Sequence, residues 1–131
     1  MFKKIEAIIR EEGLDDVKDA LREVGIVGMH VEEVAGHGRS GGAELSWRGT
    51  IYKMDMVPKM KLTIVLSDRN VAKTVDTIIK AARTGAEGDG IIFISPIEDI
   101  IRIRTGENGT EALSYPGDID QRVFDSVSTA V

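Results

Sequence analysis

Leu14, Val17, Ala20, Leu21 and Val24 recur at three- and four-residue intervals, so they mark one apolar face of a helix. Asp15 and Asp16 fall in its first turn, where the helix dipole favours anions, and Gly25 stands where the helix should stop. Residues 3–10 precede it as a short strand, and residues 27–36 follow as a second strand. That second strand reads as irregular, because Val31 and Val34 break a period of two. After a long Gly-rich segment from Gly36 to Pro58, Met60, Leu62, Ile64 and Leu66 alternate with Lys61, Thr63, Val65 and Ser67. This is the clearest strand in the chain. Ser67 or Asp68 can cap the next helix, whose buried face is Val71, Val75, Ile78, Ile79 and Ala82, with Gly85 at its stop. Ile91 to Ile97 reads as a buried strand, and Ile101 and Ile103 alternate with Arg102 and Arg104 in a final short one.

The order is β-α-β, long loop, β-α-β. Two such halves make an α+β, ferredoxin-like sandwich, with helices on one face of a four-stranded antiparallel sheet. Residues 1–112 form that domain and 113–131 an extension. In the extension Ile119, Val123, Phe124 and Val127 could line a short helix, and a docked helix and a mobile tail both remain open.

A length of 131 residues suits one domain with a single core. The net charge of −5 argues against a broad electrostatic grip on nucleic acid. With no cysteine, disulfides, thiolate nucleophiles and cysteine zinc sites are excluded. Glu6 arrives too early for a secretory leader, and no apolar run is long enough to span a membrane, so the expected location is the cytoplasm.

Catalytic chemistry finds little support. The two histidines, His30 and His37, are an odd number of residues apart, which on a regular strand sends them to opposite faces. No serine has a recognisable base partner, so the chain is read as no enzyme. Gly36-His37-Gly38-Arg39-Ser40-Gly41 matches G-x-G-x-x-G, yet residues 42–50 show no apolar helical face, and a dinucleotide fingerprint must open a helix. The glycines still leave a backbone that a ligand can approach closely. Thr84 to Gly90 is a second Gly-rich turn, of the kind whose N–H groups can make a concavity for anions. Arg102 and Arg104, two apart on a strand, would share a face roughly 7 Å apart and suit neighbouring phosphates. Together these features favour a bound nucleotide.

The chain resembles the PII signal-transduction proteins, which report nitrogen, carbon and energy status. The resemblance runs from about residue 3 to residue 106. It rests on Ala20-Leu21…Val24-Gly25…Gly28-Met29, Gly36-His37-Gly38-Arg39, Trp47-Arg48-Gly49, Val57-Pro58-Lys59, Ala82-Arg83-Thr84-Gly85…Gly88-Asp89-Gly90 and Ile101-Arg102-Ile103-Arg104-Thr105-Gly106-Glu107. It implies a homotrimer with ATP or ADP held between subunits, and a T-loop at about 38–57 that controls a target protein such as an ammonium transporter. Gly36, Gly38 and Arg39 match loop-base positions near the phosphates. Gly88, Asp89 and Gly90 match a second, phosphate-wrapping loop within 84–90, and Arg102 and Arg104 match the family's phosphate-binding arginines. Lys59 matches the lysine that meets the carboxylate of 2-oxoglutarate, which in the family binds with Mg²⁺. Trp47 and Arg48 fall at the partner-facing loop tip, Tyr52 at a tyrosine that some relatives uridylylate, and Thr50 at a phosphorylated serine of others.

Several positions depart from the family pattern. Ser40 replaces a glutamine that helps bind Mg²⁺ and 2-oxoglutarate, and Ile91 replaces a phosphate-contacting lysine. His30 stands for a threonine and Thr63 for a glutamate on the adenine side, while Trp47 and Ile51 alter the loop. These changes leave two alternatives to the nucleotide sensor: an effector-insensitive interaction module, with Trp47, Ile51 and Met56 as anchors, or a sensor of another metabolite such as bicarbonate.

Overall fold

The computed structural model describes residues 1–37, 43–47, 50–54, 56–113 and 115–120, with 43–47 and 50–54 described by their backbone alone. Strand β1 (Phe2–Arg10) puts Ile5, Ala7 and Ile9 on one buried face, as strict alternation requires. Helix α1 (Leu14–Glu23) follows after one 3₁₀ turn and buries Val17 and Leu21. It ends at Gly25, whose φ of +97° suits glycine and whose N–H donates to the Arg22 carbonyl. Strand β2 (His30–Gly36) comes next, then β3 (Ala43–Trp47), β4 (Thr50–Met54) and β5 (Val57–Ser67). Helix α2 (Val71–Ala82), strand β6 (Gly90–Ile97) and the single-turn α3 (Thr110–Leu113) complete the order.

Four strands form one antiparallel sheet in the order β2-β5-β1-β6, and α1 and α2 pack together on one face of it. This is the α+β arrangement expected from the β-α-β halves. Its core is Ile5, Ala7, Ile9, Leu62, Ile64 and Leu66 from the central strands against Val17, Leu21 and Ile78 from the helices. The register sets the site: Arg10 lies opposite Lys59, Ile9 opposite Gly90, and Gly36 opposite Val57. One end of the sheet therefore gathers Arg10, Gly36, Lys59 and Gly90.

Three expectations change. Strand β2 is shorter than 27–36 and pairs one-to-one with β5 from His30↔Thr63 to Gly36↔Val57, without a bulge. It is an edge strand exposed at five of its seven positions, so no buried face enforces a period of two. The segment between Gly36 and Pro58 contains a strand pair, β3 against β4, running from Ala43↔Met54 to Trp47↔Thr50. Residues 101–104 do not form a strand. Ile101 makes a single bridge to Asn108, and Gly106 N–H closes back onto the Arg102 carbonyl at 2.8 Å, so residues 102–106 turn on themselves. Gly106, at φ +73°, permits that turn.

The start of α2 differs too. Neither Ser67 nor Asp68 caps it by a side chain, and a 3₁₀ turn (Asp68–Asn70) leads in instead. The buried Asp120 carboxylate, far away in the sequence, accepts from Ser67 N–H at 3.3 Å and from the Asn70 side-chain amide. Residues 115–120 are thus packed against the body, with Ile119 in the core and its N–H on the Gly25 carbonyl at 2.7 Å. Val123, Phe124 and Val127 lie outside the described residues.

Candidate functional site

The end of the sheet that gathers Arg10, Gly36, Lys59 and Gly90 is closed by the turn 84–89 between α2 and β6. Asp89 organises this turn. Its carboxylate accepts from the Thr84 hydroxyl, from Thr84 N–H at 2.8 Å and from Gly85 N–H at 2.9 Å, while Arg10 Nε donates to it at 3.1 Å. These donors, led by the Thr84 hydroxyl and the two amides, hold its acidity well below the usual carboxylate range. Arg10 Nη2 also donates to the Glu87 carbonyl at 2.5 Å, and the Lys59 ammonium donates to the Gly88 carbonyl. Two cations from neighbouring strands so converge on one Gly-rich turn.

The glycines are required there. Gly85, Gly88 and Gly90 have φ of +89°, +91° and +119°, conformations costly for a side chain. A Cβ on Gly90 would lie 1.8 Å from the Ile8 carbonyl oxygen, so no other residue fits. A Cβ on Gly88 would come within 3.3 Å of Arg10 Nη2 and 3.5 Å of Lys59 Nζ. Gly36 is near the same place, its missing Cβ facing Lys59 Cγ at 4.0 Å. Ile91, next along β6, is about half exposed.

Arg102 and Arg104 are elsewhere. They follow the far end of β6, where Ile97 pairs with Phe2, and an eight-residue strand at about 3.3 Å per residue separates the ends by roughly 23 Å. Arg102 Nη2 donates to the Ala112 carbonyl at 2.9 Å, and its guanidinium lies 5.1 Å from the centroid of the Tyr115 ring. Arg104 is exposed in the turn. Because the segment is a turn, the strand spacing expected for the two arginines does not hold.

A third locus lies beside Arg102, since Tyr115 lines it. His30 and Thr63, directly opposite on β2 and β5, line a cleft of about 130 Å³ with Gly28, Val65, Tyr115 and Asp118. Gly38, Arg39, Ser40 and Arg48 lie outside the described residues. Trp47 and Thr50 face each other at the closed end of the β3–β4 pair, and Tyr52 is opposite Leu45. Among the described residues no group of three or more histidine or acidic side chains is placed to hold a metal ion, and no helix is long and apolar enough to cross a membrane.

Sequence reasoning missed Arg10, Thr84 and Tyr115. Arg10 has a legible signal, a basic residue ending an apolar strand. Thr84 gains its meaning from its bonds to Asp89 within the turn, and Tyr115 from contacts across the fold.

Known proteins resemble this chain over most of its length. Residues 2–107 match the family model described as nitrogen regulatory protein P-II. The chain is 56% identical over 112 residues to a nitrogen regulatory protein P-II of Nostoc punctiforme, covering 86% of this chain and all of that one. It is 50% identical over 112 residues to nitrogen regulatory protein P-II 2 of Methanothermobacter thermautotrophicus, covering 86% and 97% of the two chains. Among solved structures, Arabidopsis thaliana PII bound to citrate superposes with a TM-score of 0.70 at 40% identity, over 85% of this chain and 91% of that one. The chain belongs to the nitrogen regulatory protein P-II family, whose members are signal-transduction regulators rather than enzymes.

Proposed function

We propose that the chain is a cytoplasmic regulator that binds ATP or ADP between copies of itself and couples the bound nucleotide to the β3–β4 hairpin, which engages a target protein such as an ammonium transporter. The observation that carries this reading is the Gly88–Asp89–Gly90 turn. It is held open by positive-φ glycines, tied down by Arg10 and Lys59, and set beside Gly36, where the segment bearing the hairpin leaves the sheet. Successive N–H groups in such a turn form a cradle for phosphate oxygens. A phosphate there lies next to the base of the hairpin segment and can bias its arrangement.

The turn and Arg102 lie towards opposite ends of β6, whose ends are roughly 23 Å apart, farther than one phosphate chain reaches. A neighbouring copy must bring its own Arg102 and Arg104 to the cradle, while His30 and Thr63 offer the walls for a base. Lys59, bonded to the Gly88 carbonyl, is the group that a 2-oxoglutarate carboxylate would draw away, with Mg²⁺ bound by ligand oxygens. The reading of an effector-insensitive module is favoured by one observation, the half-exposed apolar Ile91 beside the cradle.

Isothermal titration with ATP and ADP, each with and without 2-oxoglutarate and Mg²⁺, tests this. Saturable binding of at least one nucleotide is expected. Arg102→Ala should weaken it by about tenfold to a hundredfold, the loss of one charge-assisted contact. Absence of binding by the unaltered chain would overturn the reading and leave the interaction module.

A further inference from the structure

Residues 115–120 are more than a packed end of chain. Asp118 N–H donates to the Tyr115 carbonyl at 3.1 Å, and the Asp118 carboxylate accepts from Tyr115 N–H at 2.8 Å. Pro116 and Gly117, the latter at φ +82°, make the bend between them. Ile119 anchors the bend in the core, and Asp120 ties its end to the start of α2 through Ser67, Asn70 and its own carbonyl on Arg69 Nη2 at 3.0 Å. The Tyr115 ring rests against Gly28, just before β2, about 3.5 Å from where a Cβ there would be. The Arg102 guanidinium lies over this ring, 5.1 Å from its centroid, with Nη2 on the Ala112 carbonyl.

We propose that residues 115–120 are a strap whose task is to aim Arg102, with Tyr115 as the positioning residue. The inference rests on the nucleotide reading above. An arginine side chain carries much rotamer entropy, which binding must otherwise remove. A ring over the face of a guanidinium attracts the cation without using the in-plane N–H donors that phosphate oxygens require. Fixing the side chain beforehand therefore strengthens anion binding. The strap lies outside the stretch matched by the family model, which ends at residue 107. It is an addition to the shared body, acting on a residue within it.

The test is ADP titration of the full chain beside Tyr115→Phe, Tyr115→Leu and Tyr115→Ala. Tyr115 is 43% exposed, so none of these changes opens the core. Phe keeps the ring and should bind ADP as the unaltered chain does. Leu keeps apolar packing without the ring, and it should bind about three- to tenfold more weakly, as should Ala. The side-chain Nε–H resonance of Arg102 should shift in Leu and Ala and stay in place in Phe. Equal affinity in all four proteins would overturn the strap's role alone, as would a Phe variant as weak as Ala. If the unaltered chain binds neither ADP nor ATP, the nucleotide reading fails and the proposed role of the strap fails with it.

Discussion

At the scale of single residues, the Gly88–Gly90 turn depends on one carboxylate. Asp89 is stabilised as the anion by the Thr84 hydroxyl, two backbone N–H groups and Arg10, so its acidity is stronger in the folded chain than in the unfolded one. The unfolded chain then takes up the proton first as pH falls. Asp89 contributes its full stabilisation above about pH 4, the ordinary value for aspartate, and loses it progressively below that. The thermal midpoint of the unaltered chain should exceed that of Asp89→Asn by a constant margin above about pH 5. That margin should shrink towards pH 3 in a calorimetric series. A margin independent of pH would show that Asp89 acts by shape alone. The glycines of this turn were legible in the sequence as a cluster, and the structure gives the cause at Gly90, where the Ile8 carbonyl leaves no room. Arg102 and Arg104 were legible as candidates, but their geometry was not. Alternation with Ile101 and Ile103 imitates a strand, and only the bond from Gly106 N–H to the Arg102 carbonyl shows a turn.

At the scale of elements, what could be read depended on burial. The helices and the central strands were legible because each has one face in the core, which forces a period on the sequence. Strand β2 was harder to read, since an exposed edge imposes no such period. The β3–β4 pair was missed although Ala43, Leu45 and Trp47 alternate with Glu44 and Ser46, because the surrounding glycines dominated the reading. The anchor of the turn before α2 could not have been found locally, as its acceptor is Asp120. That long-range anchoring makes the strap part of the fold. Ile119 is 4% exposed within the main core, so Ile119→Ala should destabilise the chain by about 2–4 kcal/mol, the cost of a buried branched side chain and the cavity left behind. Urea unfolding followed by circular dichroism reads the change. A loss within about 0.5 kcal/mol, typical of surface positions, would mean that the segment is not docked in solution.

At the scale of the whole molecule, a single copy is incomplete in two respects. Strand β6 leaves Ile91, Phe93 and Ile94 each about half exposed, a concentration of apolar surface on one edge that water disfavours. The same strand holds the Gly88–Gly90 turn and the Arg102 turn apart at its two ends. The proposed association of copies would address both, by covering β6 and by setting one copy's cradle against another's arginines. Under the proposed function, with the homotrimer that the family resemblance implies, light scattering should report three chains, each of 14.3 kDa. Phe93→Asp should break it into smaller species and abolish nucleotide binding in the same step. Mixed assemblies then distinguish a shared site from a site within one chain. Arg102→Ala retains an intact cradle, and Lys59→Ala retains intact arginines, yet each alone should bind ADP poorly. Where the two variants are co-assembled, some interfaces pair the intact cradle of one with the intact arginine of the other, so tight binding returns at those sites. If the site lay within a single chain, every chain in the mixture would still carry a defect. Binding would then remain weak at every ratio of the two.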